Sequence, residues 1–424
     1  MKPVSKFFSD IVKSVSSSGA QVLITLVTTP LMTRLYDPAA YSAFGVIHAL
    51  ATTVVGVGLL SLPNAYPVEK ESIHRTEMIQ LMLLLLGGLV VVSAISAILL
   101  SMAGALEFSA LIWALFPVLV LSFGIRQILV SVGIEKAHFS GLSVGQLVEP
   151  VVSRGGSIGL GAVLGGHPVF ILASVALGHI ATSVIVAKMV VKRNLREVRS
   201  LFGSDVKPWH VMKRYADFII YNTPSQQAQP LAVVGTQMLI IAFFSHDIAG
   251  QYILATSILI LPSSVVALAT APVIYRDFIE RDRTSPETLA RYLQRATLLY
   301  LFVGAIMLSP IFFFGEEIFK FVFGEVWGPA GKAAATLSIA YVGSFALMGV
   351  QSIFRVTKRM RTQFYLEVFT CAAAFAAVAF VVEHVDFETA ILYLAVIWGI
   401  RNVILLCAGI VVTNKHANPT PKVS

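Results

Sequence analysis

KMVVKRNLREVRSLFGSDVKPWHVMKRY, from Lys188 to Tyr215, is the stretch whose reading decides the fold. It gathers Lys188, Lys192, Arg193, Arg196, Arg199, Lys207, Lys213 and Arg214 into one interruption near the middle of 424 residues. In a soluble protein such a run reads as a nucleic-acid patch. Here both flanks are blocks of apolar segments of membrane length, and basic residues between such blocks mark a loop retained on the cytoplasmic side. The chain then divides into an N-terminal bundle at 1–191, a basic cytoplasmic linker at 192–214, a C-terminal bundle at 215–413 and a tail at 414–424. Function is expected between the halves, and no nucleic-acid partner is expected.

Composition supports this division. The chain is 56% hydrophobic and 13% charged, against about 25% charged residues in soluble domains, and its mean hydropathy is +0.81. Apolar runs long enough to cross roughly 30 Å of hydrocarbon as helix recur throughout. The expected class is an all-α membrane protein of about 12 transmembrane helices. The spans read as 12–33, 41–63, 78–101, 109–132, 141–164, 169–191, 215–242, 251–275, 293–314, 330–354, 363–384 and 389–412. The start shows no cleavable signal pattern, so the first helix is expected to be its own insertion signal. With the N-terminus in the cytoplasm, 25 of the 31 Lys and Arg fall on the inner side and only Arg34, Lys320 and Lys332 on the outer. That bias predicts both termini inside and reads the net charge of +8 as a topology signal. Cys371 and Cys407 sit in apolar segments as packing residues.

Six spans per half predict two six-helix bundles related by a pseudo-two-fold along the membrane normal. SLPNAY at the end of span two and TAPVIY at the end of span eight carry Pro and Tyr at the same offset, Pro63 and Tyr66 against Pro272 and Tyr275. The longest outer loop, about Gly315 to Ala334, is too short to hold an active site and should be partly helical.

Polar residues interrupt the apolar pattern where lipid is expected. Span one carries Ser14, Ser18, Gln21, Thr25 and Thr28, a spacing of three and four that places them on one helix face. Span seven reads YNTPSQQAQP, with Asn222, Gln226 and Gln229 again on one face and Gln237 further on. Pro224 and Pro230 each remove a backbone donor and are expected to bend or break that helix, which makes them candidate gating positions. One reading is that these groups bond neighbouring helices. The other is that the first helix of each half lines an aqueous cavity.

Arg154, in SRGGS, and Arg401, in WGIRN, lie near mid-bilayer, and Arg126 lies closer to the inner surface. A mid-membrane arginine costs about 2.5–3.5 kcal/mol on insertion scales, so it seldom faces lipid. Arg154 and Arg401 have a buried ion pair as their alternative, and Arg126 can snorkel. Glu149 is the nearest carboxylate to Arg154, but five residues at 100° place the two about 140° apart on a helix. A cavity richer in arginine than carboxylate suits an anionic ligand, because guanidinium forks match phosphate oxygens. His48 and His179 read as bonded structural residues, and Glu367 as interfacial. Glu149 and Asp217 are the candidates for any ion coupling. The small-xxx-small pairs Gly141/Gly145, Gly155/Gly159 and Gly161/Gly165 permit close helix approach. GGSIGLGAVLGG lies within an apolar helix and is not a phosphate-binding loop. With no GxxxxGK[ST], HExxH, nucleophile elbow or metal-ligand cluster, no cofactor or metal is expected, and no ATP hydrolysis.

Three pieces carry a resemblance: TPLMTRLYDPAAYSAFG at the exit of span one, HDIAGQYILATSILILP at the entry of span eight, and FGEVWGPAGKAAATLSIAYVGSF around span ten. Together with span count and loop placement they resemble the Wzx-type oligosaccharide flippases of the multidrug/oligosaccharidyl-lipid/polysaccharide exporter superfamily. The resemblance implies a non-enzymatic transporter in the bacterial inner membrane. Such a protein moves an undecaprenyl-diphosphate-linked oligosaccharide (an O-antigen, capsule or exopolysaccharide unit) to the periplasmic leaflet by alternating access. It also implies membrane lipid as surroundings and association with a polysaccharide polymerase and chain-length machinery. Arg154, Arg401 and Arg126, with Gln21, Thr25, Asn222, Gln226 and Gln229, would line its cationic lumen. Arg34 matches an arginine common after the first span of relatives. The rivals are a cation-coupled drug exporter of the same superfamily, which would want an acidic, aromatic cavity; a polysaccharide polymerase or ligase-like enzyme, which would want a large periplasmic loop; and a structural scaffold.

Overall fold

The computed structural model describes residues 4–136, 139–191, 208–357 and 359–417. Among them no strand occurs, and twelve helices run for 21 residues or more. These are α1 (Val4–Leu35), α2 (Pro38–Gly58), α4 (Ser72–Met102), α5 (Ala110–Glu135), α6 (Phe139–Leu164), α7 (Pro168–Val191), α9 (Ala216–Phe243), α10 (His246–Thr284), α11 (Leu289–Phe323), α12 (Gly328–Val356), α13 (Met360–Val382) and α14 (Phe387–Ala417). Two short helices, α3 (Leu62–Ala65) and α8 (Pro208–Arg214), stand between them. The linker residues Lys192, Arg193, Arg196, Arg199 and Lys207 lie outside the described residues, as do Lys358 and the tail from 418.

Ten of the long helices are long and apolar enough to cross a membrane. The remaining two, α1 and α9, are the helices with polar faces. Side chains such as Leu84, Val91, Ile98 and Leu99 on α4, and Leu298, Phe302 and Phe313 on α11, are exposed. Continuous apolar surface of this extent is intolerable in water and natural in lipid. This is a multi-pass membrane protein.

The chain forms two compact units, Met1–Pro230 and Leu231–Ser424, whose boundary falls at the second proline of α9. In the first unit α7 packs on both α5 and α6, α6 packs on α1, and α5 on α2 and α4. In the second, α12 contacts α10, α11, α13 and α14. Its apolar centre includes Phe278, Leu293, Val350, Ile353 and Phe354.

Local chemistry sets the ends of these helices. Asp37 caps α2, its carboxylate accepting from the Ala40 amide at 2.7 Å with Pro38 in the first turn, the arrangement that satisfies an orphan amide. Ser245 opens α10 in the same way, with Ile248 N 3.2 Å from its hydroxyl. α2 stops because Leu60 and Ser61 take left-handed φ of 53° and 54°, which a helix cannot continue. That break removes the SLPNAY/TAPVIY match as support for an internal repeat. Pro63 sits beyond it in α3, whereas Pro272 lies inside α10, which continues to Thr284. The shared proline and tyrosine spacing therefore marks a break in one place and helix interior in the other. α9 likewise runs through Pro224 and Pro230 without a break, so the missing donors do not sever it.

The stretch from Gly315 to Ala334, expected as an outer loop, contains more helix than loop. Gly324, at φ 110°, ends α11, a 3₁₀ turn over Glu325–Trp327 follows, and α12 begins at Gly328. Buried Gln251 of α10 holds this turn, donating to Val326 O at 2.8 Å and accepting from Ala330 N at 3.0 Å. A Cβ on Gly331 would lie 2.2 Å from Gly315 O, so α11 and α12 meet backbone to backbone there.

Candidate functional site

The site forms where α1, α2, α6 and α7 of the first unit converge. The small residues of α6 bring α7 close: a Cβ on Gly141 would meet Met189 Sδ at 2.2 Å, and one on Gly156 would meet Ser174 Oγ at 2.8 Å. At Gly145 the Thr182 hydroxyl donates across to the carbonyl oxygen at 3.0 Å. Gly155 and Gly159 face open space, so the close approach uses only part of the glycine pattern. On the α1 side, the Tyr36 hydroxyl donates to Ser157 O at 2.7 Å and lies over Gly161, where a Cβ would meet it at 2.7 Å.

Between these contacts lies a cavity of about 140 Å³. Gln21, Thr25 and Met32 of α1 line it, with Phe44 and His48 of α2, Glu149, Ser153, Arg154 and Ser157 of α6, and Ile171, Val175 and His179 of α7. The Thr25 and Ser157 hydroxyls donate to carbonyls one turn back, Gln21 O at 3.0 Å and Ser153 O at 2.7 Å. Their lone pairs remain to accept.

Glu149 and Arg154 share the cavity but not an ion pair, as their 140° separation on a helix requires. Glu149 Oε2 is 2.5 Å from Arg126 Nη2 of α5, and its Oε1 is 3.6 Å from His179 Nε2. Arg126 therefore does not snorkel to the surface. It is held by the Glu149 carboxylate of the next helix, α6, with its guanidinium 5.9 Å from the Phe123 ring. Arg154 donates to Met32 Sδ at 3.0 Å, a weak acceptor. Among the described residues it has no carboxylate partner. His48 and His179, each alone on its helix in sequence, come together with ring centroids 6.3 Å apart, and Phe44 stacks on His48. No one-dimensional signal pairs them, because the contact needs α2 and α7 to be neighbours.

The other sequence candidates lie elsewhere. Asn222 is buried, while Gln226 and Gln229 are exposed on α9. The amide that packs against α2 is Gln227, which fills the space over Gly56. Asp217 is exposed in the first turn of α9. None of these lines the cavity, nor do Pro224 and Pro230. The side chains of Ser14 and Ser18 lie outside the described residues.

In the second unit, Arg401 of α14 is 4% exposed. Its Nη2 lies 2.5 Å from Glu367 Oε2 of α13, and its guanidinium stands over the Trp398 ring at 5.3 Å. Asn402 beside it donates to Ala340 O at 3.0 Å, tying α14 to α12. Glu367, expected at the interface, is buried. Its carboxylate is taken up by the pair with Arg401. Arg401 is thus a sealed partner in an ion pair and not part of an open wall.

No family model and no curated protein sequence matches the chain. Solved structures do. An inward-facing multidrug resistance MATE family transporter of the MOP superfamily matches over 97% of this chain and 99% of its own, with TM-score 0.67 and 14% identity. The lipid II flippase MurJ in an inward closed conformation matches over 96% and 90%, with TM-score 0.73 and 13% identity. A MOP superfamily transporter from Pyrococcus furiosus, described by a binding pocket of reverse polarity, matches over 96% of both chains, with TM-score 0.60 and 16% identity. These three are transporters or flippases by description, and none is an enzyme. At such identities the likeness is one of fold, and the fold of this chain is that of the MOP superfamily transporters.

Proposed function

We infer that the chain is a Wzx-type flippase, carrying an undecaprenyl-diphosphate-linked oligosaccharide across the bacterial inner membrane from the cytoplasmic leaflet. The observation that carries this reading is Arg154, a guanidinium beside a polar cavity at membrane depth with no carboxylate of its own. Keeping such a charge in the bilayer is costly unless water or an anion reaches it, and a phosphate oxygen is the anion its fork fits best. In this reading both termini are cytoplasmic and 192–214 is the cytoplasmic connector between two six-helix bundles. The polyprenyl tail stays in lipid while the diphosphate enters, and α9 flexes around Pro224 and Pro230 as access alternates.

The likeness to a MATE transporter supports a second reading, a cation-coupled drug exporter. Glu149 is the carboxylate such a protein would use, but its pairing with Arg126 at 2.5 Å already neutralises that charge. Arg154, a lining guanidinium that no carboxylate claims, favours the anionic cargo. Proteoliposomes loaded with lipid-linked oligosaccharide on the inner leaflet test the choice, with lectin access to the glycan from outside as the readout. Wild type exposes the glycan, and Arg154→Ala, inserted normally, does not. Flipping by Arg154→Ala at the wild-type rate would overturn the anion reading.

A further inference from the structure

We propose that Glu149 is a tethered competitor for the cargo phosphate, a carboxylate that occupies the anion site at rest and must yield to a more highly charged group. This rests on the reading of the cavity as an anion site and goes beyond it, because it assigns a residue that decides which anions are admitted.

The geometry carries the argument. Arg154 and Glu149 line the cavity, and Glu149 is engaged not with Arg154 but with Arg126 behind it, at 2.5 Å. Its second oxygen is 3.6 Å from His179 Nε2. Arg126 Nε has no hydrogen-bond partner, so the carboxylate leaves part of that fork unused. Arg154, on the same helix as Glu149 but turned away from it, spends its Nη1 on a thioether. An anion entering the cavity therefore meets Arg154 first and Arg126 only where Glu149 gives way. His179, already beside the carboxylate, is the partner that keeps a displaced Glu149 from being stranded. At rest the carboxylate compensates Arg126 and leaves Arg154 alone unpaired, where its loss would leave two uncompensated guanidiniums, a costly arrangement in a low-dielectric site.

Size narrows the class further. A cavity of about 140 Å³ holds about five waters at about 30 Å³ each. A phosphate or diphosphate fits that space. The group that Arg154 and Glu149 contact in this proposal is the phosphate. A monoanion such as a carboxylate cannot displace a tethered carboxylate with equal charge and similar geometry. A diphosphate has more charge and more acceptor oxygens and can span both guanidiniums. Glu149 thus selects phosphorylated headgroups over carboxylated ones.

The test is binding of inorganic pyrophosphate and, separately, acetate to the detergent-solubilised full chain, with a melting curve for each variant. Glu149→Gln should bind pyrophosphate about tenfold more tightly than wild type or better, the scale of a close charge-pair coupling, and should gain acetate binding. Glu149→Asp keeps the charge but is one methylene shorter, so it should gain less, about threefold. If Glu149→Gln fails to fold, Glu149→Asp decides alone. Pyrophosphate binding by both variants no tighter than wild type, with Arg154→Gln binding none, overturns the competitor while leaving the anion site standing. Arg154→Gln binding pyrophosphate as wild type does overturns the anion site and this proposal together.

Discussion

Arg154 and Arg401 look alike in sequence: each is a single arginine near the middle of an apolar span. In the folded chain they have opposite surroundings. Arg401 is sealed against Glu367 from the neighbouring helix and 4% exposed. Arg154 has a thioether, a cavity, and a carboxylate on its own helix that is claimed by a different arginine. Depth in the membrane does not separate a structural charge from a functional one. Whether a neighbouring helix supplies a counter-charge does.

The comparison is broken most directly at Arg401. Removing one member of a buried ion pair strands the other, so Arg401→Ala should lower unfolding stability in detergent by about 3–5 kcal/mol. Replacing both Arg401 and Glu367 with apolar residues of similar size should restore stability to wild type or above it. Recovery in the double variant and loss in the single one would identify the pair as structural. Arg154→Ala should behave in the reverse sense. Its stability should stay within about 1 kcal/mol of wild type, since no carboxylate is stranded, while flipping should fall at least about 100-fold, matching a loss of about 2.7 kcal/mol of charged contact. A destabilised Arg154→Ala would place the two arginines in the same class.

The glycines extend the comparison from charge to packing. Gly331→Ala in the second unit would press a Cβ on the Gly315 carbonyl oxygen, backbone against backbone, and should cost about 2–3 kcal/mol as an overpacking change. Gly161→Ala in the first unit meets the Tyr36 hydroxyl, a side chain that can shift at the expense of its bond to Ser157 O. A cost of about 1–2 kcal/mol follows. Gly155→Ala faces open space and should stabilise the helix by up to about 1 kcal/mol. Thermal melts of the three variants should rank in that order.

The parts of this structure legible in sequence were those that depend on one helix at a time. Apolar length located ten of the twelve long helices, and α1 and α9 showed as the two with polar faces. The spacing of Gln21 and Thr25 placed both on one face, and the cavity lies against that face. The 140° between Glu149 and Arg154 kept them from pairing. What could not be read depends on which helices are neighbours. Glu149 finds Arg126 across 23 positions, and Glu367 finds Arg401 across 34. His48 meets His179 only because α2 packs on α7. The TAPVIY match failed for the same reason in local form: a proline spacing does not reveal whether the preceding residues adopt left-handed φ, as Leu60 and Ser61 do.

The smallest expected effect compares two helix caps. Asp37 opens α2 in the first unit, and Asp386 opens α14 in the second, accepting from Thr389 N at 3.3 Å and from the Thr389 hydroxyl at 2.7 Å. The Ala390 amide donates to Asp386 O at 2.8 Å, the first turn of the helix that carries Arg401. The Thr389 hydroxyl, with its backbone amide, holds the Asp386 carboxyl below the ordinary carboxylate range. A depressed folded-state pKa means that the cap contributes fully above the unfolded value and is lost as pH falls through the folded one. The protection of the Thr389 and Ala390 amides against hydrogen exchange should therefore be independent of this group near neutral pH and should fall only in acid, once the carboxyl is protonated. Asp386→Asn keeps an acceptor for the amide and removes the charge, so its exchange should lose the acid-dependent step while remaining slower than that of Asp386→Ala. Because the cap is at the surface and the ion pair of Arg401 with Glu367 is not, fraying there should leave the melting temperature nearly unchanged. A large drop would mean that the first turn of α14, and not the buried pair, sets the stability of the second unit.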